Sequence, residues 1–132
     1  MRYAEGDRLA PAEYRRLRAA AGWPDPALDD AALADALATS WNVTARDDDG
    51  ALVGMGRVHD DGIYAAIWDM IVLPDHRGRG IGKAIFDRMM ARCRGRSLVS
   101  LVATPYGAPM YRAAGFSEES RGSVALFLRD VT

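Results

Sequence analysis

Apolar positions along the first third of the chain recur at helical spacing. Tyr14, Leu17 and Ala21 fall on one helical face, Pro11 suits a first helical position and Glu13 lies in the same turn, so a helix is predicted over residues 11–21. Gly22-Trp23-Pro24-Asp25-Pro26 ends it, because each proline drives the residue before it out of the helical region. Asp29 or Asp30 can cap a second helix that carries Leu33, Ala36 and Leu37 and runs to residue 38. From Trp41 the period falls to two, with Trp41, Val43 and Ala45 alternating against Asn42, Thr44 and Arg46. Asp47-Asp48-Asp49-Gly50 then turns the chain into a returning strand over residues 51–58, a hairpin. Residues 63–73 are apolar on both faces except at Tyr64 and Asp69, as a central strand covered on both sides would be. Ile81, Ala84, Ile85, Met89 and Arg92 return to helical spacing and predict a helix over residues 80–94. A second buried strand is predicted over residues 97–103, a short helix over 108–113 ending at Gly115, and a last strand over 124–128.

This order predicts one α/β domain with a mixed, mostly antiparallel sheet. The strand-helix-strand step through residues 63–103 implies one right-handed parallel crossover. At 132 residues the chain is one domain's length, and 49% apolar with 27% charged residues is ordinary globular composition. Seventeen basic against eighteen acidic residues give a net charge of -1, which excludes the diffuse basic surface of a nucleic-acid binder. One cysteine, Cys93, allows no internal disulfide, and two histidines supply no zinc set, so no metal is expected and a reducing cytoplasm is the expected location. No basic-then-apolar leader opens the sequence, and its longest uncharged run, residues 97–111, is too short and too interrupted by proline to span a bilayer.

The informative segment is Leu73-Pro74-Asp75-His76-Arg77-Gly78-Arg79-Gly80-Ile81-Gly82-Lys83-Ala84, between a buried strand and a helix start. Gly78, Gly80 and Gly82 let backbone approach an anion, the helix N-terminus supplies free N–H groups, and Arg77, Arg79 and Lys83 add positive charge. A Walker loop does not fit, because only three residues separate Gly78 from Gly82 and Ala84 has no hydroxyl for magnesium. A dinucleotide fingerprint does not fit either, since no second βαβ half is present.

Arg77-Gly78-Arg79-Gly80-Ile81-Gly82 matches the phosphate loop Q/R-x-x-G-x-G/A of the GNAT superfamily of acetyl-coenzyme A dependent N-acetyltransferases, and Tyr111-Arg112-Ala113-Ala114-Gly115-Phe116 resembles its Y-x-x-x-G-F signature. The order of elements resembles the family over nearly the whole chain. It departs at Thr104, where family members often carry asparagine, and at Pro105 and Pro109, which shorten the helix before Tyr111. The resemblance implies a parallel strand pair splayed around the coenzyme, helices on both faces of the sheet, and acetyl-CoA as co-substrate.

On that resemblance Arg77, Gly78, Arg79, Gly80, Ile81, Gly82 and Lys83 bind the coenzyme pyrophosphate, backbone groups of Ile71, Val72 and Leu73 hold pantetheine and the acetyl oxygen, and Tyr111 is the general acid toward the departing thiolate. Asp69, the one charge in its apolar strand, is the candidate to take the amine proton or anchor the amine. Trp23, Tyr64 and Tyr106 are candidates for an acceptor pocket, with aromatic core as the plainer reading. His59 and His76 are weak candidates for a base, and Cys93 reads as a small buried hydrophobe. The expected reaction is direct acetyl transfer to a primary amine, of a small molecule rather than a protein lysine. A coenzyme-binding protein without turnover is the competing class. Dimers are common in the family, so a homodimer is admissible by analogy.

Overall fold

A computed structural model, which describes residues 1–131, places the hairpin in a five-stranded sheet of order β1-β2-β3-β4-β5. The strands are β1 (Arg2–Glu5), β2 (Trp41–Arg46), β3 (Leu52–Asp60), β4 (Tyr64–Val72) and β5 (Leu98–Leu101). The first four pair antiparallel, and β4 pairs parallel with β5 from Tyr64↔Leu98 to Ile67↔Leu101. This is a mixed, mostly antiparallel α/β fold with one parallel pair. The helices are α1 (Pro11–Ala20), α2 (Asp30–Ala38), α3 (Ile81–Arg92) and α4 (Ala108–Ala113).

Local chemistry sets the helix ends. Pro11 opens α1, and Glu13 Oε1 accepts from the Ala10 N–H at 3.1 Å. Gly22 adopts φ +79°, and the pair of bonds from Gly22 N–H to Ala19 O and from Trp23 N–H to Arg18 O closes the helix as a Schellman motif. Asp29 caps α2 by accepting from the Ala32 N–H at 2.8 Å.

The two sheet faces are covered differently. Leu17 of α1 and Leu33 and Leu37 of α2 pack in one core with Leu52, Met55 and Ile71. On the other face β3 presents Gly54 and Gly56, whose missing side chains admit Ile81, Ile85 and Met89 of α3. Each fully buried Leu or Ile contributes about 1.5–3 kcal/mol by leaving water.

Three sequence expectations are corrected, and one strand was not foreseen. β1 carries no readable alternation and exists through its antiparallel pairing with β2. The strand expected over residues 97–103 is confined to Leu98–Leu101, and with Leu98 exposed it is not a buried strand. Tyr64 and Trp68 are also exposed, so β4 is covered fully on one face only. Residues 124–128 form no strand, and Val124, Leu126, Phe127 and Leu128 lie exposed; an apolar run becomes a strand only when a ladder partner is present. The chain divides into two compact units, Met1–Val102 and the residues from Ala103 onward. The sheet belongs to the first, and α4 is the helix of the second.

Candidate active site

The glycine loop leaves β4 through a single 3-10 turn, Pro74–His76. Gly78 and Gly80 adopt φ +75° and +80°, and nothing lies within 4 Å of where a Cβ would stand, so these positions need glycine for its left-handed backbone and not for space. Gly80 caps α3, and the first bond closing that helix runs from the Ala84 N–H to Gly80 O. The N–H groups of Ile81, Gly82 and Lys83 therefore precede the helical ladder and gather at its positive end, the arrangement that takes a phosphate oxygen. Arg79 is exposed beside them, whereas Lys83 Nζ is held by Asp87 at 2.8 Å. Arg77 Nε donates to Val72 O at 3.3 Å and ties the loop to the strand end.

That strand end is open on one side. β5 accompanies β4 only to Ile67, so the residues from Trp68 to Val72 have no β5 partner in the parallel ladder. On its other edge β4 pairs with β3, where the register passes from Arg57↔Trp68 to Met55↔Ile71. Asp69 and Met70 thus oppose the single residue Gly56, a β-bulge, and Asp69 adopts φ +52°, a conformation that aspartate tolerates better than most residues. Leu73 has both backbone groups engaged, its N–H with Val53 O and its carbonyl with the His76 N–H, each at 2.9 Å. Strand alternation then turns the Val72 N–H to the open side.

The bulge aims Asp69 into a polar cluster against α1. Tyr14 Oη donates to Oδ2 at 2.5 Å, Arg57 to Oδ2 at 2.8 Å and Arg18 to Oδ1 at 2.9 Å. The side chains of Arg18, Arg57 and Asp69 are 14%, 12% and 11% exposed, dry enough for these contacts to hold fixed geometry. Arg18 is anchored further by Pro24 O and stacks over Tyr14 and Trp23, 5.6 and 5.4 Å from the ring centroids. Arg57 Nε donates to Ser40 Oγ at 3.0 Å. Burial, then the hydrogen bond to Asp69, raises the Tyr14 pKa, so its hydroxyl stays a donor.

In the second unit α4 ends at Gly115 with φ +101°. The Phe116 N–H donates to Tyr111 O and the Gly115 N–H to Arg112 O, again a Schellman motif, and the Phe116 ring meets the Tyr111 ring edge-on at 6.1 Å. The Y-x-x-x-G-F pattern is therefore a helix stop in which glycine supplies the left-handed turn and phenylalanine fixes the tyrosine. Tyr111 is buried, and burial pushes its pKa up to about 12.

The structure brings Trp23 to the Asp69 cluster and leaves Tyr64 exposed five residues up the strand, roughly 16 Å away at strand rise. Tyr106 is exposed in the second unit, and His59 is exposed on β3. His76 Nδ1 is buried without a hydrogen-bond partner. Burial raises the Cys93 thiol pKa, as for an inert packed thiol. Sequence reasoning passed over Tyr14, Arg18, Ser40 and Arg57. One signal was present: Arg57 is the sole charge between Leu52 and Val58, as Asp69 is in β4, and the hairpin sets these two strands side by side. Among the described residues no set of three His, Cys, Asp or Glu side chains is placed to hold a metal ion, and no helix is long and apolar enough to cross a membrane.

Known proteins share the fold. A GNAT-family protein from Streptococcus pneumoniae superposes with a TM-score of 0.76 at 24% identity, covering 98% of both chains. A Xanthomonas campestris pv. campestris member of that family gives 0.78 at 26% identity, over 97% of this chain and 94% of the other. A Clostridium acetobutylicum acetyltransferase structure, which contains acetyl-CoA, gives 0.71 at 21% identity, covering 96% and 95%. GCN5-related N-acetyltransferase 3, chloroplastic, from Arabidopsis thaliana is 35% identical over 80 residues, 58% of this chain and 34% of that protein. Serotonin N-acetyltransferase 2, chloroplastic, from Oryza sativa subsp. japonica is 35% identical over 71 residues, 52% of this chain and 36% of the other. The chain thus spans about a third of the length of these two curated relatives. The model of the acetyltransferase (GNAT) family matches residues 8–116, which takes in strands β2 to β5, the glycine loop and the Tyr111 helix stop, and the chain belongs to that family.

Proposed function

We propose that the chain is an acetyl-CoA dependent N-acetyltransferase that passes the acetyl group directly to a primary amine of a small molecule. The observation that carries this reading is the row of unbonded N–H groups at Ile81, Gly82 and Lys83, presented by two left-handed glycines beside the end of β4 that has no β5 partner. Those amides, with Arg77 and Arg79, hold the coenzyme pyrophosphate. The Val72 N–H, on the open side of the strand, orients the thioester. The amine nitrogen attacks the acetyl carbon, the carbon–sulfur bond breaks, and Tyr111 gives its proton to the departing thiolate. Asp69 already accepts from three donors, so it takes one more hydrogen bond, from the amine or from a water that carries its proton away. Trp23 borders the acceptor side, whereas Tyr64 lies exposed farther along β4. The cytoplasm is the proposed setting, with a homodimer as the proposed assembly. The coenzyme bound in the Clostridium structure and the amine named for the rice relative are in keeping with this chemistry.

The test is a thermal shift with acetyl-CoA, free CoA and ATP, on the wild type and on Gly80→Asp, whose carboxylate would face the pyrophosphate. A ligand at about 100 times its Kd adds roughly 2.7 kcal/mol. Both coenzyme forms should raise the melting temperature of the wild type, and neither should raise that of the folded variant. Thiol release with an amine panel then separates turnover from binding alone. No shift with either coenzyme form would reject the reading.

A further inference from the structure

The Asp69 cluster carries more positive charge than its own contacts need. Two guanidiniums, Arg18 and Arg57, share one carboxylate, leaving a net charge of one positive in a setting little open to water. The nearby acids are engaged elsewhere: Asp7 and Glu13 pair with Arg46, and Asp25 and Asp30 pair with Arg15. Neither Arg18 nor Arg57 has another carboxylate within 4.0 Å among the described residues. A partly buried charge of this kind calls for a counter-ion.

The two arginines are not equivalent. Arg18 is largely consumed by Asp69, Tyr14 and the Pro24 carbonyl. Arg57 has five N–H donors; one goes to Ser40 and one to Asp69, leaving three without a partner among the described residues. Its planar fork is fixed by those two bonds and by the Tyr14 ring, 5.8 Å from its central carbon. Arg57 pairs across the sheet with Trp68, next to the bulge and within a few residues of the strand end assigned above to the thioester.

We propose that the acceptor amine carries an anionic group, a carboxylate or a phosphate, and that Arg57 receives it while Ser40, Asp69 and the Tyr14 ring hold Arg57 in place. This rests on the acetyltransferase reading, with the amine nitrogen at the end of β4. A ligand whose only charge is its ammonium is disfavoured by the same surplus, so Arg57 acts as a specificity residue.

The test has a binding arm and a turnover arm, both run with the glycine loop filled. In the presence of saturating CoA, inorganic phosphate and acetate are titrated against the wild type, Arg57→Gln and Asp69→Asn, with melting temperature as readout. In the presence of acetyl-CoA, kcat/KM is compared for O-phosphoethanolamine against ethanolamine and for β-alanine against propylamine. At least one anion should bind the wild type, Arg57→Gln should weaken it about tenfold or more, and Asp69→Asn, which removes the competing carboxylate, should tighten it. The amine bearing that anion should exceed the counterpart that lacks it about tenfold in kcat/KM, and Arg57→Gln should erase the difference; which pair responds tells phosphate from carboxylate. Should Arg57→Gln fail to fold, Asp69→Asn decides, and no gain in anion affinity overturns the proposal. Equal response to both members of each pair, with CoA binding intact, overturns the proposal and leaves the acetyltransferase reading standing. Absence of CoA binding overturns that reading and the proposal with it.

Discussion

Tyr111 illustrates how one buried hydroxyl can be read in energetic terms. A general acid must hold its proton at the working pH, and burial pushes this phenol up to about 12, so its protonated fraction stays near one through pH 10. Tyr111→Phe should lower kcat by about a hundredfold or more while leaving the acetyl-CoA Kd within about threefold, as steady-state kinetics and a binding titration would report. The wild-type rate should show no alkaline fall assignable to Tyr111 below pH 10, and unchanged turnover in the phenylalanine variant would transfer the role to water. Asp60 makes the opposite case at the end of β3. Hydrogen bonds from Arg96, then the Gly62 N–H, lower its pKa to about 2 from the usual 3.8. A depressed carboxyl contributes stability that is present above its unfolded value and is lost as pH falls from about 4 toward 2. Asp60→Asn should therefore be less stable than the wild type at pH 7 and lose less stability between pH 4 and pH 2, measured by urea unfolding at each pH. Equal acid sensitivity in the two proteins would mean that the Arg96 pair does not form in solution.

Between elements, the contact of β3 with α3 depends on what glycine omits. A Cβ on Gly56 would stand 2.5 Å from Met89 Sδ and 2.7 Å from its Cε, and Met89 is fully buried, so its thioether has little room to swing aside. Gly56→Ala should cost about 1–3 kcal/mol by forcing α3 outward, visible as a lower urea midpoint at unchanged m-value. An unchanged midpoint would show that Met89 repacks without strain. The same contrast between local and distant causes explains what the sequence pattern disclosed. The helices around Leu17, Leu33 and Ile85, the hairpin from Trp41 and the Gly78–Gly80 loop are dictated by neighbours within a few positions, and the pattern shows them directly. The lone charge of Asp69 was visible in the same way. Its partners were not, because Tyr14 and Arg18 lie 55 and 51 positions away and meet it only through the bulge opposite Gly56. β1 was hidden for a related reason: Arg2–Glu5 has no alternation of its own and becomes a strand by pairing with β2.

For the molecule as a whole, the two units should differ sharply in how firmly their backbones are held. In the first, β2 and β3 each pair with a neighbour on both edges, and the side chains of Leu52, Met55, Val58 and Ile67 are buried. Amides there open only when the sheet does. In the second, beyond Phe116, the backbone ladder is nearly absent: Ser123 N–H to Ser120 O is the one backbone bond among the described residues of that stretch, and Val124, Leu126, Phe127 and Leu128 are 59–86% exposed. Hydrogen exchange at pH 7 should therefore find residues 124–131 exchanging near their intrinsic rates. Amides of Val53 to Val58 should be slower by about a thousandfold or more, since a stability of about 5 kcal/mol corresponds to more than three decades of protection. The apolar run Val124-Ala125-Leu126-Phe127-Leu128 makes this a demanding experiment, because its composition favours a strand and its backbone groups are available to any free sheet edge. Protection at residues 124–128 approaching that of β2 would mean that the strand suggested by composition forms in solution. Its dependence on protein concentration would then separate pairing within one chain from pairing between two, since only the second weakens on dilution.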